Sequence, residues 1–495
     1  MSTRSQARRR RDCCRELQRE NARLTRENQR LRRQVEGFEQ QVSQLQAALD
    51  ATRRAGKRQA APFSKGEPKA KPRRPGRKSG AQHGPSVHRP PPEQVDEVVP
   101  VPLPDCCPRC QGHVEPSRVA PQFQADIPPV KPHVIRFDIE IGHCTQCGRR
   151  VQGRHERQTS DALGAAASQV GPHALALGAH LNKGLGLSFE KVVAIYATIF
   201  GLLFSRSGLC QGIARLGRAA EPTYQAMIEH LREAPVVVPD ETGWRVNGRL
   251  WWLWDFVTPD VTVYSIQPGR GFEQAAAILG EDYAGLLVCD GWAPYRKFVS
   301  AERQTCNAHL LRRCDELLET ARAGAARVPL AVKRLLLKGL ELRDRQERGE
   351  LQGHGLLVTV GKLCAELDRL LAWNPTHEPN RRLLKHLWTE REALFTFLAV
   401  PGLPATNWPA EQAIRPAVVT RKSCGGNRTE NGAGTQEVLA SVLRTCWQQQ
   451  RDPVQLLGNL LYSPVPIIAE GLLPTNKDPP RPFAPRARSS WSTSS

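Results

Sequence analysis

The apolar positions of this chain change period several times along its length, and each change marks a different kind of element. Between residues 14 and 49, Leu17, Leu24, Leu31, Phe38 and Leu45 recur at every seventh place, and Cys14, Asn21, Asn28, Val35, Val42 and Leu49 form a second series with the same interval. Two interleaved series of this kind are the d and a positions of a coiled coil, and the strict interval favours that over a lone amphipathic helix packed on its own protein. Asn21 and Asn28 weaken the seam but fix its register, so the pattern predicts self-association as a parallel dimer or a higher oligomer.

Between about residues 160 and 235 the period becomes helical. Phe189, Val192, Val193, Tyr196 and Ile199 share a face, Gly201 interrupts it, and Ser205 is placed to cap a second helix running to about Leu216. A helix, a short turn and a helix can set the second helix in a DNA major groove, with Arg206 and Gln211 as the residues to meet it. An ordinary helical hairpin has the same pattern. From Val236 short apolar runs alternate with turn residues. Val236–Val238, Leu250–Val257, Val261–Ile266 and Gly285–Cys289 read as strands, Phe272–Leu279 as a short helix, Gln304–Cys306 as extended chain and Ala308–Thr320 as a helix. This is a mixed α/β layer, followed by a long helical stretch over about 320–400.

Composition adds a partner. The chain has 495 residues and a net charge of +21, with much of the basic excess placed early. A polyanion is implied, and nucleic acid is the commonest one. The stretch Lys69-Ala70-Lys71-Pro72-Arg73-Arg74-Pro75-Gly76-Arg77-Lys78 is too polar to fold alone, and its cations, Lys71, Arg73, Arg74, Arg77 and Lys78 among them, suit sequence-independent phosphate binding. No apolar run reaches the roughly 18 to 20 residues that span a bilayer. Met1–Arg11 leads into a polar helix and not an apolar signal core, so the chain reads as cytoplasmic.

Two Cys-x-x-Cys pairs, Cys107 with Cys110 and Cys144 with Cys147, supply four thiolates, a set that suits structural Zn²⁺ in a zinc ribbon. A redox dithiol is the weaker alternative. Cys106 competes with Cys107, but only Cys107 has the two-residue spacing.

The strongest chemical signal is a pair of acids, Asp240 and Asp290, each following an apolar strand run. An unpaired carboxylate in a core is costly, and Mg²⁺, which prefers oxygen ligands, would neutralise both. Asp240 and Glu241 are neighbours on extended chain, so only one of them faces the same way as Asp290. A third acid is needed. Glu411 suits it, since Asn407 and Pro409 favour a helix start and Glu411 and Arg415 then share a face. Pro416 predicts that this helix is short or kinked. Periodicity alone does not choose Glu411 over Glu430 or Glu437.

Asp240-Glu241-Thr242 after a valine strand, Cys289-Asp290-Gly291-Trp292-Ala293-Pro294-Tyr295, and Asn407-x-x-Ala410-Glu411-x-x-x-Arg415-Pro416 resemble the three blocks of the IS66 family of transposases. Further matches are Ala61-Pro62-Phe63-Ser64-Lys65-Gly66, Pro75-Gly76-Arg77-Lys78-Ser79-Gly80, the knuckle at Cys107, and Arg421-Lys422 with Gly432-Ala433. The resemblance spans residues 61 to about 460 in the family's order. It implies a multidomain α/β protein with an RNase H-like mixed-sheet catalytic domain. That domain is interrupted by a helical insertion and preceded by coiled coil, zinc ribbon and helix-turn-helix-like domain. It also implies Asp240, Asp290 and Glu411 as a catalytic triad for two Mg²⁺ or Mn²⁺ ions. Arg415, Arg421 and Lys422, within the matching blocks, join Arg206 of the helix pair as candidate DNA contacts. The activity implied is cleavage of transposon-end DNA and transfer of the strand into target DNA, with accessory proteins of the element as further partners. The expected division is a coiled-coil helix over 1–50, a basic linker over 51–100, the zinc ribbon over 101–155 and a helical DNA-binding domain over 156–235. The catalytic domain occupies 236–320 and 401–465 around an insertion at 321–400, and a disordered tail follows over 466–495.

Cys306-x-x-His309 fits a signature found after the second Asp in several such families, with a role left as structural or open. His309 is followed by Leu310-Leu311-Arg312-Arg313, one residue longer than the usual His-x-Arg-Arg, and Ser423–Arg428 is glycine-rich where relatives are apolar. A related nuclease such as a resolvase would explain the acids and the charge but not the arm and ribbon ahead of them. A non-catalytic DNA-binding regulator would be expected to lack one of the three acids.

Overall fold

The computed structural model describes residues 90–474, Phe483 and a set of helical positions between Glu20 and Gln44. The chain divides into two units, residues 1–99 and 100–495. In the first, Leu24, Leu31, Val35 and Val42 of the heptad series are helical and 46–53% exposed. Arg23 pairs with Glu20 at 3.3 Å, one turn away. The other heptad positions, and Lys71, Arg73, Arg74, Arg77 and Lys78, lie outside the described residues.

The second unit begins with an extended, largely exposed segment in which strands β1 (Ile141–His143) and β2 (Arg150–Gln152) form an antiparallel hairpin. The helices α1 (Pro172–Ala179), α2 (Phe189–Ile195) and α3 (Arg206–Glu233) follow. Gly201, at φ 63°, ends the turn after α2, and the Ser205 hydroxyl accepts the Gly208 N–H at 3.0 Å to open α3, both as the sequence predicts. Helix α3 does not stop near Leu216. Leu216, Ala220, Tyr224, Met227, Ile228 and Leu231 continue its buried face, and burial carries the helix past Pro222.

A five-stranded sheet forms the centre, with strands β3 (Val236–Val246), β4 (Arg249–Val257), β5 (Thr262–Gln267), β6 (Leu286–Cys289) and β7 (Glu302–Thr305). Helix α4 (Phe272–Leu279) connects β5 to β6, with the bounds its pattern predicts. The spatial order is β5-β4-β3-β6-β7. The β3–β4 and β4–β5 pairs are antiparallel, whereas β6 runs parallel to both β3 and β7. Strand β3 is longer than the valine run suggests. It pairs with β6 only at Val236 and Val237, then continues along β4 to Val246. Pro239, with no N–H to donate, falls just beyond the last parallel pair.

Helices α5 (Asn307–Thr320), α6 (Arg327–Glu347), α7 (Gly353–Leu371), α8 (Glu378–Thr389) and the short α9 (Thr396–Ala399) make up the long helical stretch. Then come α10 (Trp408–Cys424), α11 (Glu430–Gln448) and α12 (Pro453–Leu460). Helix α10 runs through Pro416 instead of ending there, because Ala413, Ile414 and Ala417 are buried against the sheet. Asn407 precedes it without a side-chain capping bond.

Strict alternation assigns the two sheet faces. Val238, Trp244, Val246, Leu253, Tyr264, Leu286 and Val288 face α5–α11. Val237, Trp254, Phe256, Val263, Leu287 and Cys289 pack with α1, α3, α4, α11 and α12. The helices ahead of the sheet therefore share its core. Order also extends beyond residue 465: Ala469 and Leu472 are buried in that core.

Edge strand β5 leaves alternate N–H groups without a strand partner, and α11 supplies acceptors from one face. Thr262, Tyr264 and Ile266 donate to Thr445 Oγ1, Ser441 Oγ and Glu437 Oε1 at 3.0, 2.8 and 2.5 Å. Acceptors four apart on a helix rise about 6.0 Å and donors two apart on a strand about 6.8 Å, so the two ladders nearly match. The side chains that cover the edge also block its pairing with another chain.

Candidate catalytic centre

Alternation carries the two predicted aspartates to one face. On β3, Val238, Asp240 and Thr242 follow one another on the side facing α10, and past β6 the sequence Leu286, Val288, Asp290 reaches the same side. Continuing the Val236–Leu286 register sets Asp290 level with Asp240. Helix α10 lies against this face and brings Glu411 in its first turn. Asp240 feels the result. Burial, then the charge of Glu241, then those of Asp290 and Glu411 push its carboxyl up to about 7. Its Oδ1 accepts the Glu241 N–H at 3.0 Å, and Asp290 Oδ1 accepts the Trp292 N–H at 2.8 Å.

Glu241 points to the opposite face, as its place next to Asp240 requires. There Arg270 donates to it at 2.7 Å and the Tyr295 hydroxyl at 2.8 Å. Arg270 in turn lies 4.8 Å from the Trp252 ring centre and 4.2 Å from that of Trp292. The Glu241 carboxylate is thus engaged, while that of Asp240 takes no side-chain donor among the described residues.

Glu411 Oε1 is 3.9 Å from His309 Nε2 and 3.8 Å from Arg312 Nη2. The Cys306-x-x-His309 signature thereby acquires a place. Cys306, with a buried thiol, precedes α5, and the Asn307 N–H donates to the Ala405 carbonyl at 3.0 Å, tying the start of α5 to the segment that leads into α10. One turn further along α5, Arg312 reaches the same carboxylate. Sequence reasoning left both roles open. The usable signal was spacing, since His309 and Arg312 are three apart and share a helix face.

The insertion is docked beside this centre by Glu390, which is fully buried. Arg296 and Arg303 each donate to it at 2.8 Å and Thr305 at 2.9 Å. His386, from the same segment, approaches Gly291: a Cβ there would lie 3.2 Å from its ring, and the φ of +83° independently favours glycine. Burial lowers the His386 pKa, and the Arg313 charge adds to that effect.

The predicted DNA contacts are scattered. Arg206 is exposed at the start of α3, 3.9 Å from Glu190. Arg415 and Lys422 are exposed on α10. Arg421 is half-buried and donates to Thr242 Oγ1 at 3.1 Å and to the Gly243 carbonyl, which joins α10 to β3.

Each cysteine pair forms a tight knuckle. The Gln111 N–H donates to the Cys107 carbonyl at 2.9 Å and the Gly148 N–H to the Cys144 carbonyl at 2.9 Å. Backbone N–H groups of Arg109 and Cys110 lower the Cys107 pKa, and those of Cys147 and Gln146 lower that of Cys144. Among the described residues no three His, Cys, Asp or Glu side chains converge on a single metal-holding point. Donor chemistry nevertheless fits both ions expected. Mutually repelling carboxylates on one face suit a hard divalent cation, and thiols whose thiolate form is favoured by N–H donors suit zinc.

These features define a mixed α/β protein with a five-stranded mixed sheet and an acidic centre on one of its faces. The model of the transposase IS66 family matches residues 167–435, more than half of the chain, and the chain belongs to that family. It is also similar to the uncharacterized protein y4qI of Sinorhizobium fredii (strain NBRC 101917 / NGR234), at 27% identity over 304 residues, 56% of this chain and 56% of that protein. The chain thus spans about half the length of this curated relative. Among the described residues no helix is long and apolar enough to cross a membrane.

Proposed function

We propose that the chain is a DDE-type transposase that cleaves transposon-end DNA and joins the freed strand to target DNA. The observation that carries this is the delivery of Asp240, Asp290 and Glu411 to one side of the sheet from three separate chain segments. The strand order, three antiparallel strands continued by two parallel ones, supports an RNase H-like reading of the catalytic domain.

In this reading Asp240, Asp290 and Glu411 hold two Mg²⁺ or Mn²⁺ ions. Such ions supply activation of an attacking oxygen and stabilisation of the leaving one in phosphodiester chemistry. The chain's residues set the geometry. The Trp292 N–H orients Asp290, and His309 and Arg312 flank Glu411 near the opening of α5. Arg415 and Lys422 offer exposed cations on the helix that bears Glu411. The first reaction is hydrolysis at the transposon end, leaving a 3′-hydroxyl. In the second that hydroxyl attacks a target phosphodiester, so one P–O bond forms as another breaks. Cys107, Cys110, Cys144 and Cys147 hold structural zinc, the heptad helix pairs protomers, and the basic linker grips phosphates.

The test is purified protein with Mg²⁺ or Mn²⁺ and the terminal DNA of its element. Wild type is expected to nick and join strands. Asp240→Ala, Asp290→Ala and Glu411→Ala each abolish both reactions while DNA retention on a gel persists. Full activity in Glu411→Ala would remove it from the centre.

A further inference from the structure

A fully buried acid lies beside the proposed centre. Asp255 lies inside β4, within the apolar run Leu250–Val257, and is 0% exposed. Neither Oδ1 nor Oδ2 has a hydrogen-bond partner among the described residues. The β3–β4 register sets Asp255 directly opposite Asp240, and the β4–β5 register sets it opposite Tyr264. Directly opposed residues of an antiparallel pair point to the same face, with Cβ atoms about 4.5 to 5.5 Å apart. The Tyr264 hydroxyl donates to the Ala413 carbonyl of α10 at 2.5 Å, which shows that this row faces the helix bearing Glu411.

The cation that favours its charged form does not satisfy Asp255. Arg444, on α11, is electrostatically favourable to it, yet Arg444 Nε is itself buried without a hydrogen-bond partner, and the guanidinium lies 4.1 Å from the Trp447 ring centre. Burying a carboxylate with both oxygens unsatisfied costs several kcal/mol. The same side chain, one strand over from Asp240, is an oxygen donor set toward a group of like charge. That arrangement is destabilising alone and becomes favourable when a cation neutralises it.

We propose that Asp255 is a further oxygen ligand of the divalent-cation centre, joining Asp240 from across the β3–β4 ladder. This inference rests on the reading of Asp240 and Asp290 as cation ligands. It separates Asp255 from a purely structural acid by two signs: the acid weakens the metal-free chain and strengthens the metal-bound one.

The probe is Mn²⁺ alone, titrated into the full-length protein by calorimetry, with thermal melting followed in the presence and absence of the ion. Wild type is expected to bind Mn²⁺ and to melt higher when it is bound. Asp255→Asn is expected to weaken Mn²⁺ binding at least about tenfold, the range seen when groups supporting a metal site are removed. It should also melt above wild type without metal and gain less from Mn²⁺. Asp255→Ser, which is smaller and neutral, is a second variant with the same expected signs. Unaltered Mn²⁺ affinity in both, with Asp240→Asn and Asp290→Asn impaired, would overturn the role of Asp255 and leave the rest of the centre standing. Unaltered affinity in Asp240→Asn and Asp290→Asn would overturn the underlying reading as well. A metal-free melting point lowered in both Asp255 variants, or their failure to fold, would also overturn the inference, because Asp255 would then be holding the metal-free chain together.

Discussion

Glu437 carries its carboxylate between α11 and the sheet edge, where burial pushes its pKa up to about 7 and the Ile266 N–H partly offsets the rise. Its ordinary value is 4.5, so the folded chain holds this proton more tightly than the unfolded one. The stability it contributes is full below pH 4.5 and is lost as pH rises through about 7. Glu437→Gln keeps an acceptor for Ile266 and cannot ionise. Across that window wild type is expected to lose stability relative to the variant, by on the order of a few kcal/mol. Parallel melting-point profiles for the two proteins between pH 4.5 and 7 would refute this assignment. Asp255 obeys the same rule from the opposite side of the argument. It is an acid in an apolar strand, and the cost that singled out Asp240 in the sequence applied to it equally. Within the run Leu250–Val257 no turn residue marks it. The valine run predicts a strand that ends at Asp240, whereas β3 continues to Val246 and Asp240 lies mid-strand.

At the scale of elements, α11 and β5 are matched through side chains and not through a backbone ladder. The Ser441 hydroxyl donates to the Glu437 carbonyl at 2.6 Å while accepting the Tyr264 N–H at 2.8 Å. Ser441→Ala leaves that buried N–H unsatisfied, and about 1 to 3 kcal/mol of stability is expected to go with it. Urea denaturation measures it; a loss under about 0.5 kcal/mol, the size of an ordinary surface change, would show that the edge is satisfied by other means. No periodicity announces such a match, since it depends on how a distant helix lies across the strand. The elements themselves were more accessible. Helix α4, the cap at Ser205, the break at Gly201 and the strands β4 and β5 all followed from local pattern and turn chemistry. The misjudged lengths, α3 past Leu216 and α10 past Pro416, share one cause: a buried face outweighed a residue that weakens a helix.

For the whole molecule, the heptad series and the acidic centre belong to different units of the chain. Leu24, Leu31, Val35 and Val42 leave an apolar stripe exposed on a single copy, which is the condition for pairing with another. Leu31→Asp places a charge at a d position and is expected to convert a dimer into monomers in sedimentation velocity at micromolar concentration. A wild type that sediments as a monomer there would end the coiled-coil reading. Within the second unit, the helices before the sheet and the segment out to Leu472 share one core with it, so the expected partition into separate helical, catalytic and tail segments is not how the apolar surface is buried.

The sequence by itself determined whatever depends on near neighbours: the heptads, the cysteine knuckles, the alternation that sends Asp240 and Glu241 to opposite faces, and the blocks that mark the family. Tertiary structure decided which acids share a face of the sheet and added Asp255 to those the family blocks mark. Asp240, Asp255, Asp290 and Glu411 are spread over more than 170 residues of chain, and only strand register and the docking of α10 bring them to one face. Local periodicity says which way a side chain points. It carries no information on which strand will lie beside which, because that choice is made by the burial of whole faces.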